Sequence, residues 1–215
     1  MKPPWIRRYT AHHIVICVLA FYAAFLAFLL GIFAAYLTYT PETLPETTQT
    51  IEYAKPVDYT AIYWIRKYNP ALSEADAREM YGHIEQTIAR YKADPTYQKG
   101  AAKLITPKLF LALILRESGA KWQSISDHGA IGLCQVMPLH IEDLHRAGVI
   151  EAPEVEELLE AEANIRAGVH VLMMYAKSVD SITRALSRYN AGPSRERAGR
   201  GYARAVLKLY EEIGG

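Results

Sequence analysis

The chain has 215 residues, 51% of them hydrophobic and 22% charged, with a formal net charge of +1. That composition permits one globular domain plus an apolar excess, and the near-zero charge argues against a dedicated nucleic-acid binder, which carries a basic excess. The two cysteines, Cys17 in an apolar run and Cys134 far along the chain, give no basis for a disulfide within the chain.

Residues 1–13 include Lys2, Arg7 and Arg8, and no charged residue then occurs from Ile14 to Leu37. That run exceeds the roughly 20 apolar residues a bilayer span needs. Glu42 and Glu46 follow it, and the next basic residue is Lys55. The asymmetry predicts a single-pass anchor over 14–37 with residues 1–13 in the cytoplasm and the remainder outside. A cleaved signal peptide fits less well, because the run is too long and no small-x-small site follows. Residues 38–57, rich in Thr, Pro and Glu, read as an extended linker.

Residues 58–215 are expected to form the folded domain, and no strand pattern or internal repeat occurs in them. Asp58 to Tyr68 predicts a short helix with Tyr59, Ile62, Tyr63 and Ile65 on one side, broken at Asn69-Pro70. Ser73 and Asp76 approximate a capping box, and Met80, Ile84 and Ile88 with Tyr81 and Tyr91 make an apolar stripe at helical spacing. Tyr91 to Thr106 reads as a loop, with Asp94-Pro95 and Gly100 as breakers.

The stretch from Thr106 to Pro138 carries the candidate chemistry. Thr106 can cap a helix that Pro107 opens, and Leu109, Leu113 and Ile114 share a side with Glu117. A carboxylate on the apolar side of an apolar helix, at its negative end, is disfavoured in the charged form twice over, by burial and by the helix dipole. Glu117 is therefore a candidate general acid. Gly119 suits a left-handed helix stop. In Ser126-Asp-His-Gly129-Ala-Ile-Gly132-Leu-Cys134-Gln135-Val-Met-Pro138, Gly129 and Gly132 are places for close backbone approach. Ile131, Leu133, Val136 and Met137 hold the segment to a core, and Gln135 supplies an amide donor and acceptor.

Ile141 to Ile150 reads as a short helix and turn. From Pro153 a helix is expected over Glu154 to about Ser178, with Glu154, Glu156, Glu157 and Glu160 at its start, where the dipole favours them. Ile165, Val169, Leu172 and Met173 form its core stripe, and Asn164 and Gly168 share a face. Further helices are expected over Ser181–Tyr189 and Gly201–Ile213, the last with Tyr202, Val206 and Leu209 buried. Arg195, Arg197, Arg200 and Arg204 make a basic surface between them. His140 and His145 are five apart, so no metal-ligand spacing occurs, and neither a P-loop nor Gly-x-Ser-x-Gly is present.

Four blocks in order, Glu117-Ser118, Gly129-Ala-Ile-Gly-Leu-Cys-Gln135, Asn164-Ile165-x-x-Gly168 and Tyr189-Asn190-Ala191-Gly192, resemble the lytic transglycosylases of the soluble-lytic-transglycosylase type. The family usually has Met where this chain has Cys134. The resemblance implies an all-α, goose-lysozyme-like domain and cleavage of the β-1,4 bond between N-acetylmuramic acid and N-acetylglucosamine, ending in a 1,6-anhydro ring. It implies Glu117 as the one catalytic acid-base and Ser118, Ser126, Gln135, Asn164, Tyr189 and Asn190 as groups that orient sugar and acid. No cofactor and no metal are implied. The expected partners are peptidoglycan glycan strands and, through residues 14–37, the bacterial inner membrane, with the catalytic domain periplasmic. Cell-envelope or secretion-apparatus proteins are admitted as further partners, and nucleic acid is not. Two readings stay open beside it: a lysozyme-like hydrolase, with Asp127 or Glu142 positioning water, and a wall-binding scaffold without turnover.

Overall fold

A computed structural model describes residue 19, residues 21–22 and 24–31, and residues 56–215, and the chain divides into two units at Lys55/Pro56. In the first unit the described residues are helical, and Leu19, Phe21, Tyr22, Phe25, Leu26, Phe28, Leu29 and Leu30 are all exposed. No helix of the described residues is long and apolar enough to cross a membrane, and most of the expected 14–37 span lies outside those residues. The same is true of residues 1–13 and of most of the 38–57 linker.

The second unit is all-helical, as the periodicities predict. Its helices are α1 (Tyr59–Tyr68), α2 (Glu74–Ala93), α3 (Pro107–Glu117), α4 (Ile141–Arg146), α5 (Ala161–Ala176), α6 (Ile182–Ala191) and α7 (Arg200–Glu212). Among the described residues there is no strand, only two isolated bridges, Ile125 with Ile131 and Ile131 with Val136.

Local chemistry accounts for the helix starts. Asp58 accepts from Ala61 N at 3.1 Å. Ser73 and Asp76 exchange bonds in a full capping box, so Asp serves where Glu is usual. Thr106 Oγ1 accepts from Leu109 N at 3.1 Å, with Pro107 at the first helical position, where its missing N–H costs nothing. The aliphatic side of α1 (Ala61, Ile62, Ile65) is buried, while Tyr59 and Tyr63 face solvent.

α3 is the centre of the packing. Leu109 through Leu115 are all buried, because α1, α2 and α7 cover the helix from several sides. A second set of contacts joins α2 to α5, α5 to α6, and α6 to α7.

Two expectations are corrected. The stretch after Tyr91 is not a plain loop. α2 runs to Ala93, and 3-10 turns follow at Pro95–Tyr97 and Gly100–Leu104. Ala101 N donates to Val179 O at 2.7 Å, and Ala101 and Ala102 are buried. The segment folds because it is stapled to the end of α5, a contact that local propensity does not encode.

The acidic helix expected from Glu154 begins only at Ala161. Glu156–Leu159 form a separate 3-10 turn, and Glu160 is extended (φ −78°, ψ 129°) between the two. Glu157 instead takes the N–H groups of Glu151 and Ala152, each at 2.6 Å, and Leu158 O is turned to the Asn164 amide at 2.7 Å. These bonds, made outside the helical i to i+4 pattern, outweigh helical propensity over 154–160, and the acidic residues do not form a helix start.

Gly168 lets α5 approach the 131–137 loop. A Cβ there would lie 2.5 Å from Cys134 Cβ, 2.6 Å from Cys134 Sγ and 3.2 Å from Phe110 Cζ. Gly168→Ala is expected to overpack this contact and cost about 1–3 kcal/mol despite alanine's better helix propensity. Urea denaturation measures it, and an unchanged or higher stability would show that the contact is loose.

Candidate active site

Glu117 is the last residue of α3, and Ser118 closes the helix. Beyond it Gly119 (φ 60°) and Ala120 (φ 61°) turn the chain back. A left-handed alanine carries strain of order 1 kcal/mol or more. It is held by full burial and by Asn69 Nδ2, which donates to Ala120 O at 2.9 Å.

The Glu117 carboxyl is not free at the helix end. Tyr202 on α7 donates its hydroxyl to Glu117 Oε1 at 2.5 Å. Burial pushes the Glu117 carboxyl up to about 7, with the Tyr202 hydrogen bond and nearby Arg116 pulling it partly back. Tyr202 is itself pushed well up by burial and by the negative charge of Glu117, so it remains a phenol and a donor. A carboxyl poised near 7 holds a substantial protonated fraction at neutral pH and is still able to accept a proton, which suits one group acting as acid and then base.

Two further groups sit in the same electrostatic neighbourhood. Tyr189 on α6 donates to Cys134 O at 2.8 Å and is pushed well up by burial first and also by Cys134 and Glu117. The fully buried Cys134 thiol is pushed up by burial and by Glu117, and so stays a neutral packing group. Tyr189 is thus near Glu117, but its hydrogen bond goes to the loop backbone.

The loop itself is fixed by Asn164. Its side chain is fully buried, accepts from Cys134 N at 2.8 Å, and donates to Ile131 O at 3.0 Å and Leu158 O at 2.7 Å. Gly132 (φ 74°) admits that amide, since a Cβ would overlap Asn164 Nδ2 and lie 2.7 Å from Leu158 O. At Gly129, by contrast, a Cβ would meet nothing within 4 Å; the turn, not close approach, asks for glycine there (φ 77°).

The remaining predicted residues are placed as follows. Gln135 takes a left-handed conformation (φ 49°), and its Nε2 donates to Gly132 O at 2.9 Å and Ser124 O at 3.2 Å. Ser126 Oγ accepts from Ala130 N at 3.0 Å and closes the turn. Ser118 Oγ points back to Ile114 O at 3.4 Å. Asn190 is exposed near the end of α6. Gln135, Ser126 and Asn164 hold the loop in shape, Ser118 caps the acid's helix, and Asn190 is open to solvent. Asp127 and Glu142, the candidate second acids, are both exposed. Among the described residues no group of three or more His, Cys, Asp or Glu is arranged to hold a metal ion.

Tyr202 is the residue that sequence reasoning placed only in a buried stripe. It is 85 positions from Glu117, and no spacing rule links them; only the packing of α7 on α3 does.

The raised Glu117 pKa makes a stability prediction. Folding favours the protonated form, so the unfolded chain loses its proton first as pH rises. Stability linked to this group is fully present below about 4.5 and falls until about 7, by up to about 3 kcal/mol. Glu117→Gln removes that loss, so its stability advantage over wild type should grow between pH 5 and pH 8. A pH-independent difference, read from denaturant midpoints, would contradict the burial of a protonated carboxyl.

The chain is similar to the crystal structure of the 70 kDa soluble lytic transglycosylase of Escherichia coli, with 22% identity and a TM-score of 0.44, over 73% of this chain and 27% of that one. The chain thus spans about a quarter of that protein's length. The family described as the transglycosylase SLT domain matches residues 94–209, a span holding Glu117, Asn164, Tyr189 and Tyr202. With more than half of its length inside that match, the chain belongs to the transglycosylase SLT domain family.

Proposed function

We propose that the chain is a membrane-anchored peptidoglycan lytic transglycosylase that cleaves the β-1,4 bond between N-acetylmuramic acid and N-acetylglucosamine. The observation that carries the reading is the Glu117 carboxyl, half-buried at the end of an apolar helix and held near 7 against the Tyr202 hydroxyl within an SLT domain. In its protonated form Glu117 donates to the glycosidic oxygen. The N-acetyl group of the muramic acid supports the positive C1. Glu117, now a base, takes the proton from the C6 hydroxyl, which closes the 1,6-anhydro ring.

An intramolecular hydroxyl needs little activation because it is held near C1 at high effective concentration. A hydrolase would instead need a water and, as a rule, a second carboxylate across the cleft. Asp127 and Glu142 have no burial that would aim them there. The reading therefore favours the lyase.

The anchor is part of the proposal. Charge asymmetry supports a cytoplasmic N-terminus and a periplasmic domain at the bacterial inner membrane. The exposed apolar residues of the first unit, with Phe25, Leu26, Phe28, Leu29 and Leu30 on all sides of a helix, support an apolar surrounding for it.

Two measurements test the proposal. Glu117→Gln keeps the volume and removes the proton donor, so wall digestion should fall by at least about two orders of magnitude while helicity is retained; a folded variant that still digests wall would sink the assignment. Mass spectrometry of the wild-type digest should find muropeptides one water lighter than hydrolysis products and resistant to borohydride. Predominantly reducible ends would instead promote the hydrolase. For topology, protease added to intact spheroplasts should cut the domain, and a domain protected under conditions that cut a periplasmic control would reverse the orientation.

A further inference from the structure

The C-terminal half of α2, the Pro95–Tyr97 turn, the 147–149 turn and α5 line an open cavity of about 320 Å³. None of the residues placed around Glu117 lines it. Its size is at the low end for a ligand site, enough for something of the order of a dipeptide.

The lining offers donors in excess. Thr87 is only 6% exposed and faces the cavity, and its hydroxyl has no hydrogen-bond partner among the described residues. The residue is buried but its hydroxyl oxygen stays accessible through the cavity, so it is free to meet a ligand there. Arg90 is exposed at the rim and has no ion-pair partner among the described residues. Arg166, on the facing wall, is already held by Val149 O at 3.1 Å and Glu162 at 2.9 Å.

Tyr91 and His170 meet through the phenol oxygen and Nδ1 at 2.7 Å. Burial pushes the Tyr91 phenol well up, so it keeps its proton and donates. Burial, with the charges of Lys177 and His140, lowers His170, so the ring is neutral and carries its proton on Nε2. A third donor is thereby added. Tyr97 packs edge-on against Tyr91 at 4.7 Å and supplies an aromatic wall. The one carboxylate of the lining, Asp94, is occupied in capping its own turn through Thr96 N at 2.8 Å.

We propose that this cavity binds the free carboxylate of a short peptide, and that in the wall substrate the carboxylate belongs to an acidic stem peptide of the glycan strand. The second half rests on the function proposed above. The planar fork of Arg90 meets the carboxylate through two parallel hydrogen bonds, Thr87 and His170 Nε2 complete the donor set, and the Tyr91–Tyr97 pair covers the aliphatic part. The cavity shares α5 with Asn164, so the helix that fixes the loop beside Glu117 also carries the proposed peptide contact.

The test uses the full-length protein in detergent and the dipeptide L-Ala-D-Glu, followed by NMR titration. Saturable binding is expected for the dipeptide and not for its diamide. Arg90→Gln, a surface substitution that leaves the fold intact, should weaken binding about tenfold or more, as loss of a charge-assisted pair does, and Thr87→Val should weaken it less. Dipeptide binding indifferent to Arg90→Gln, or inorganic phosphate bound as tightly, overturns the carboxylate site.

For the stem peptide, Arg90→Gln should raise KM about tenfold on wall that carries stems, with kcat unchanged, and should leave stem-stripped glycan unaffected. Equal changes on both substrates overturn the stem assignment. Should neither protein digest wall while Arg90-dependent dipeptide binding persists, the enzymatic reading fails and the carboxylate site stands.

Discussion

Everything around Glu117 depends on one buried amide. Asn164 places three hydrogen bonds into two separate loops, to Ile131 and Cys134 on one and Leu158 on the other. A fully buried side-chain amide is affordable only when its polar atoms are matched, and here none of the buried side-chain polar atoms of the described residues is left unsatisfied. Losing Asn164 would strand a backbone N–H and two carbonyls, each at a cost of about 1–3 kcal/mol. The loop is then held in a geometry its own sequence does not prefer, with Gln135 left-handed and Gly132 pressed against the amide.

That fixed loop in turn sets the environment of the acid. Cys134, on the loop, occupies the space left by Gly168 and receives the Tyr189 hydroxyl on its carbonyl. Glu117 projects from α3 into the same neighbourhood, against Tyr202 of α7. Two opposing effects decide its protonation. Desolvation favours the neutral acid, whereas a donated hydrogen bond and a nearby arginine favour the carboxylate; desolvation is the larger, and the balance is near neutrality. The fold thus provides one group that changes protonation state at working pH, which the proposed proton-out, proton-in cycle requires.

The departure at Cys134 fits the same logic. A thiol is smaller than a methionine side chain, and burial keeps it neutral, so it serves as a compact apolar filler beside Gly168 rather than as a nucleophile. The ion pairs near α6 are of another kind: Arg184 and Arg188 converge on Glu196 at 2.8 and 2.6 Å and hold its carboxyl down to about 2. They tie Glu196, just after the Pro193–Arg195 turn, to α6, and they use Arg184 and Arg188 rather than the basic run Arg195, Arg197, Arg200 and Arg204.

By itself the sequence determined the helical class, the positions of α1 to α3 and of α6 and α7, and the candidacy of Glu117. Each of these rests on signals within a few residues: apolar spacing, the Ser73–Asp76 and Thr106 caps, and a carboxylate on an apolar face. It also marked Gly132 as a place of close backbone approach, and through the family resemblance it marked Asn164 and Gln135, though as groups that orient sugar and acid rather than as loop fasteners. The tertiary structure alone decided the rest. Tyr202 reaches Glu117 across 85 residues, Ala101 bonds Val179, and Glu157 leaves helix geometry to bind the 151–152 backbone. These are contacts between residues distant in sequence or pulled out of their local preference, and a one-dimensional period has no term for a partner brought in by another helix. The direction of the Glu117 shift was legible from its apolar helix face, but its size was not, because desolvation depends on everything packed around a group and not only on its neighbours in the chain.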